Sequence, residues 1–178
     1  SLTEIPNRGT ALFGTSKYYG LFSECSSLKR VTFEEGSKLT KIGNYAFSET
    51  ALESFTFPSS VASVGEYAFQ YTKLTTLTIP ATVTSLGAHA FYGCEELVSV
   101  TLGSGIKTLP SGVFGNCYAL TAFTVPATVT SIDSSAFSSC EAIDGFKVDP
   151  ANQSFRERDG VVYDLDWNIV LFPSSKTT

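Results

Sequence analysis

The sequence predicts a repeat solenoid of the α/β class, with one parallel strand and one short helical turn per unit of 22–23 residues. Two observations carry this expectation. A single Phe recurs as Phe22, Phe47, Phe69, Phe91, Phe114 and Phe137, at steps of 25, 22, 22, 23 and 23 residues. A segment of the form L-x-x-Φ-x-Φ, with Φ apolar, recurs beside it: LKRVTF (28–33), LESFTF (52–57), LTTLTI (74–79), LVSVTL (97–102), LTAFTV (120–125) and IDGFKV (143–148). A unit this short cannot bury its apolar edge alone. Stacked copies can, because each set of equivalent residues then becomes a continuous interior row.

Each element of the unit follows from its residues. The last three positions of the segment alternate inward, outward, inward, which is the period of a strand. β-branched and aromatic residues dominate there. Pro58, Pro80 and Pro126 follow directly and end the strand, since Pro has no N–H for a ladder. A second apolar pair comes next: Val61/Val64, Val83/Leu86, Ile106/Leu109 and Val129/Ile132. A turn residue and a small-residue–Phe pair close the unit, as in Gly43 before Ala46–Phe47, and this piece is expected to make one turn of helix. The Phe column should form an interior row with rungs about 4.8 Å apart.

Composition bounds the function. The chain has 178 residues, 43% of them hydrophobic and 16% charged, which excludes disorder. Its net charge is −5. Residues 1–89 carry seven Lys/Arg and seven Asp/Glu, residues 90–178 five and ten, so the excess acid (0 and −5) lies in the second half. No clustered positive charge is present to replace phosphate counterions, so a nucleic-acid partner is not expected. No apolar run reaches the roughly 18 residues of a membrane span. The chain starts at Ser1 and has no Met, so it reads as a mature or shortened form.

The chain departs from its own period twice. Elsewhere an apolar residue precedes the Phe by five; in the first unit Ile5 precedes Phe22 by 17. The stretch 7–19 therefore reads as an insertion. It carries Arg8, Tyr18 and Tyr19, and is either a cap over the first rung or a binding loop. The step from Phe33 to Ile42 is nine residues against seven elsewhere, which implies a wider turn in EEGSK (34–38).

All four cysteines lie three residues past a repeat Phe: Cys25, Cys94, Cys117 and Cys140, with Thr50 and Thr72 in the same column. Zinc sites need close pairs, and these are a whole unit apart. Cys25 would stand about 14 Å from Cys94 at strand spacing, beyond the ~7 Å reach of a disulfide. One pair among the other three could close. The column reads as small, buried, reduced side chains. The only histidine, His89, replaces Tyr45 and Tyr67 of sister units, a variable surface position with no catalytic set around it. DLDWN (164–168) has the spacing of three calcium ligands but lacks the Gly and distal Glu of such a loop; a tight turn between VVY and IVLF explains it as well. No metal or cofactor is expected.

The pattern AFxxCxxLxxΦxΦP, followed by VTSΦG, resembles the BspA-type leucine-rich repeat of the Treponema pallidum class. The resemblance covers about residues 1–148, and 146–173, with its DGVVY, looks like the non-repeat stretch that follows such repeats. It implies a right-handed leucine-rich-repeat solenoid over 1–148, with 1–27 an atypical capping repeat, and a β-hairpin segment over 149–178. It also implies a secreted or cell-surface protein that binds host proteins, matrix or neighbouring cells. The expected function is a non-catalytic, monomeric binding or adhesion module with a protein or glycan partner; the alternative is a spacer that positions other domains. The candidate contact residues are Arg8, Tyr18 and Tyr19, together with the outward strand column: Arg30, Thr32, Thr56, Thr78, Thr101, Thr124 and Lys147.

Overall fold

A computed structural model describes residues 4–5, 11–12 and 20–173. Two columns of parallel strands run along the stack. The first is built from the L-x-x-Φ-x-Φ segments. Glu4–Ile5 pairs with Thr32–Phe33, Thr76–Ile79 with Ser99–Leu102, and Ala122–Val125 with Gly145–Val148. The expected alternation is clear in Thr76–Ile79, where Leu77 and Ile79 are buried and Thr76 and Thr78 exposed, and in Ala122–Val125. The second column is built from the second apolar pair, which the sequence did not mark as strand. There Ala11–Leu12, Lys41–Ile42, Ser63–Val64 and Ser85–Leu86 pair in order, and Thr108–Leu109 pairs with Ser131–Ile132.

The short helical turns are not present: the described residues form no helix. The reason lies in the backbone. Tyr45 and Glu49, Tyr67 and Tyr71, His89 and Gly93, and Gly112 and Asn116 all have positive φ, between 54° and 69°. A left-handed residue every fourth position breaks the i→i−4 ladder of a helix. The N–H groups divide instead. Ala46 and Ser48 donate back three residues, to Gly43 and Tyr45, closing tight turns. Tyr45, Phe47 and Glu49 donate to Glu66, Ala68 and Gln70 of the next coil at 2.8–3.0 Å. Successive coils repeat this scheme, so the turns stack like strands.

The core is the Phe column. Phe47, Phe69, Phe91 and Phe114 are fully buried, and successive rings from Phe22 to Phe137 stack with centroids 5.2–5.7 Å apart. Offset stacking of this kind adds to area burial. At its end the solenoid is covered by an antiparallel sheet of Arg156–Arg158, Val161–Tyr163 and Ile169–Leu171, so the expected hairpin is two strands of three. Phe146 N donates to Gly160 O at 2.9 Å. The Asn152 amide donates to Pro126 O and Val129 O while its Oδ1 accepts from the Ser154 and Phe155 N–H groups. One buried amide thus ties the cap to the coil beneath it.

At the other end, Ile5 lies level with Phe33 and Leu12 level with Ile42. Ile5 therefore belongs to the first strand column, not the second as its spacing suggested. The seven-residue step from 5 to 12 equals those from 57 to 64 and 79 to 86, and the extra length falls between Leu12 and Phe22.

Candidate functional site

The outward column of the first strands is where a ligand-facing surface was expected. Arg30, Thr32, Thr56, Thr78, Thr101, Thr124 and Lys147 are all exposed. Thr78 stands beside Thr101, and Thr124 beside Lys147. Arg8, Tyr18 and Tyr19 lie outside the described residues.

The surface is not the flat sheet that the column of hydroxyls implied. Its ladder breaks twice, and a cleft opens at each break. Residues 52–58 form no strand. That coil has Phe at both inward positions, and the Phe55 ring meets Phe33, Phe47, Phe57 and Phe69 at 4.8–5.6 Å. Sister coils have Leu77/Ile79 or Val100/Leu102 there. The bulkier filling and the wider 34–38 turn hold the Arg30–Phe33 backbone away from Ser54–Phe57. Between them lies a cleft of about 520 Å³, lined by Arg30, Thr32, Glu34, Glu35, Ser54 and Thr56 over the edges of Phe33 and Phe57. A second cleft, about 390 Å³, lies between Ser99–Leu102 and Ala122–Thr124, and it brings Thr101 and Thr124 together. Lys147 faces a third hollow with Asp144, Glu157 and Asp159.

The cysteine column is divided. Cys94, Cys117 and Cys140 are buried and free, but Cys25 is exposed, contrary to expectation. Each buried thiol donates to the Phe carbonyl of the coil before it: Cys94 to Phe69 O at 3.2 Å, Cys117 to Phe91 O at 3.4 Å, Cys140 to Phe114 O at 3.0 Å. Among the described residues no repeat Phe precedes Phe22, the one in the coil of Cys25. Thr72 shares the Phe69 carbonyl and contacts Cys94 Sγ at 3.2 Å. Burial pushes the Cys94 thiol up to about 12, against the Thr72 hydrogen bond, which lowers it. The neighbouring Cys140 thiol and burial raise the Cys117 thiol, while the neighbouring Cys117 lowers Cys140.

Comparison with known proteins fits this architecture. The family model for the BspA type leucine rich repeat region matches residues 15–144 in six copies. The chain belongs to the BspA-type leucine-rich-repeat family. Its fold is similar to that of the pneumococcal vaccine antigen PcpA (24% identity, TM-score 0.74), covering 99% of this chain and 43% of that one. A leucine-rich repeat protein from Bacteroides ovatus is 28% identical with a TM-score of 0.69, covering 84% of this chain and 38% of that one. The T. pallidum leucine rich repeat protein is 27% identical with a TM-score of 0.59, over 72% of this chain and 54% of that one. The chain thus spans about half or less of the length of these relatives. No curated protein sequence matches it.

This BspA-type solenoid has a second decorated surface, on its turn side, that the sequence reading did not find. The Tyr45 and Tyr67 rings stack at 5.0 Å and 7°, and Tyr67 and His89 at 4.8 Å and 6°. Tyr92 meets His89 and Tyr71 edge-on at 5.4 and 5.9 Å. His89 stands at a position that varies between coils, but it is a half-buried member of a ring stack rather than a side chain free at the surface, and its Nδ1 is buried without a hydrogen-bond partner. The signal was present in the spacing: Tyr45, Tyr67 and His89 all stand two residues before the repeat Phe. In DLDWN, Asp164 Oδ1 accepts from the N–H groups of Asp166 and Asn168 at 2.9 and 2.8 Å, and Oδ2 from the Asn168 amide. Its oxygens close the turn, and the Asn168 bonds lower its carboxyl below the usual range. Among the described residues no His, Cys, Asp or Glu side chains group as a metal site would need. No helix among them is long and apolar enough to cross a membrane.

Proposed function

We propose that this chain is a non-catalytic binding module of a secreted or cell-surface protein, holding a protein or glycan partner on its strand face. One observation carries the reading: the ladder break at residues 52–58 turns a regular hydroxyl surface into a cleft. The cleft combines a cation, two carboxylates, five hydroxyls and two aromatic side chains. Mixed polar groups over an apolar floor suit recognition better than a uniform surface. Family membership supports the surface location. The stretch 7–19, with Arg8, Tyr18 and Tyr19, is proposed to extend the contact, because Arg and Tyr supply much of the energy at interfaces.

A screen of the fragment against matrix proteins and oligosaccharides tests this. Hits should weaken at least tenfold in Thr56→Glu, which puts a charge into the cleft, and in a variant with the extra length between Leu12 and Phe22 shortened. Binding that survives both changes would refute the placement. The regular Thr78–Thr101 pairing favours the alternative, a spacer that positions other domains, and a screen without hits would support it.

A further inference from the structure

The turn side of the solenoid pairs aromatic rings with negative charge. Within the turn segments 43–51, 65–73, 87–96, 110–119 and 133–142 stand Glu49, Glu66, Glu95, Glu96, Asp133 and Glu141, all exposed. One cation stands among them, Lys73, and it is 3.9 Å from Glu96. The rings run in one contiguous series, Tyr45–Tyr67–His89–Tyr92–Tyr71, each in contact with the next. Tyr71 is 45% and Tyr118 41% exposed. Tyr118 occupies the fourth position after its Phe, between the equivalent Glu95 and Glu141 of the flanking coils, so one strand spacing separates it from each. After partial burial, these two carboxylates are the main reason its phenol lies above the ordinary range.

Three of these rings, those of Tyr71, His89 and Tyr92, are held in place. A methyl on Gly93 would strike the Tyr71 ring, one on Gly112 the His89 ring, and one on Gly115 the Tyr92 ring. Each ring lies on a glycine of the following coil. Asn116 Nδ2 donates to the Tyr92 hydroxyl at 2.8 Å and fixes that ring further. Rings with little freedom left to lose make an efficient binding surface. A ring face attracts a cation, and a carboxylate beside it reinforces that attraction.

We propose that this turn face docks a lysine- and arginine-rich segment of a partner protein. Guanidinium groups lie on Tyr71 and Tyr118, and Glu95 and Glu141 receive their N–H groups. The site is on a different side from the strand-face cleft and does not depend on it. A neutral glycan would leave the charge of the carboxylates uncompensated, and a nucleic acid would be repelled by them.

The test titrates the isotope-labelled chain with nona-arginine, nona-lysine and nona-glutamate peptides and reads shift changes by NMR. Nona-arginine should move the signals of residues 71, 92, 95, 118 and 141, bind more tightly than nona-lysine, and weaken with salt. Nona-glutamate should not bind. Tyr71→Ser/Tyr118→Ser and the isosteric Glu95→Gln/Glu141→Gln should each lower the affinity about tenfold, while Thr76→Ala on the strand face leaves it unchanged. Both pairs are exposed, so a folded spectrum is expected for each. The proposal is overturned if Tyr71→Ser/Tyr118→Ser binds nona-arginine as wild type does, which would indicate diffuse charge attraction. It is equally overturned if the shifts centre on strand-face residues, if maltohexaose moves the same rings at lower concentration, or if a second copy of the chain occupies the face.

Discussion

The strand face and the turn face come from the same repeat, yet the repeat constrains them differently. On the strand face the outward position is Thr in five consecutive coils: Thr32, Thr56, Thr78, Thr101 and Thr124. On the turn face the position two before the Phe runs Tyr45, Tyr67, His89, Gly112, Ser135. A strand asks its exposed residues for β-propensity and tolerates few types. The turn backbone satisfies its own N–H groups between coils, whatever side chains it carries, provided a residue accepts positive φ. Variation is therefore inexpensive on the turn side, and a glycine in one coil gives room for a ring from the coil before. The strand face gains distinct features only where its ladder fails.

The largest effect that tests this comparison concerns the row beneath both faces. Phe91 is fully buried, with its ring 5.2 Å from Phe69 and 5.7 Å from Phe114. Phe91→Ala should cost about 3–5 kcal/mol, the usual range for a buried Phe. Thr78→Ala on the strand face should cost below about 1 kcal/mol, the range of a cross-strand pair. Urea unfolding of the two variants reads the difference. Equal costs would mean that the strand-face column, not the Phe row, holds the coils together.

How much of this was legible follows from the period. The Phe row and the first strands stand out because each copy repeats the same apolar positions. The second strand column did not stand out, since two residues such as Lys41–Ile42 are too few to show alternation. The sequence predicts helix at the turns because the left-handed residues are mostly Tyr, Glu, His and Asn rather than Gly, and nothing in composition marks them. The first cleft depends on the sizes of Phe55 and Phe57, a packing effect that a pattern of apolar letters does not carry. The turn-face rings were legible only by reading down the column two before the Phe, where His89 was taken in isolation.

The cysteines sharpen the contrast within the turn column itself. Ellman's reagent at pH 8 should react with Cys25 in the folded protein, and with Cys94, Cys117 and Cys140 only in denaturant. A raised folded pKa stabilises the protein below the unfolded value and loses that contribution as pH climbs through the folded one. For Cys94 the window is 9.0 to about 12. The stability of wild type relative to Cys94→Ala should therefore fall across that range and stay level below it. A reactive Cys94 in the native state would place the column at the surface.

The smallest expected effect is local to the turn face. Asp133 Oδ1 accepts from the Ser135 hydroxyl at 2.6 Å and the Ser135 N–H at 2.9 Å. These two bonds, in that order, hold its carboxyl below the ordinary 3.8. The Ser135 hydroxyl in turn meets Ser111 Oγ at 2.9 Å and accepts from Gly112 N at 3.2 Å, so the link crosses to the preceding coil. A depressed carboxyl contributes stability above its unfolded pKa and loses it as pH falls through the folded one, so the contribution is fully present above 3.8 and is lost on the acid side of that value. Ser135→Ala removes the first bond and leaves the second. The Asp133 carboxyl, followed by its carbon shift in an NMR titration, should then rise towards 3.8 without reaching it, and Thr101→Ala on the strand face should leave it unmoved. An unchanged Asp133 in Ser135→Ala would mean that the backbone N–H alone sets its pKa, and that the Ser135 hydroxyl's link to the preceding coil does not extend to the carboxylate.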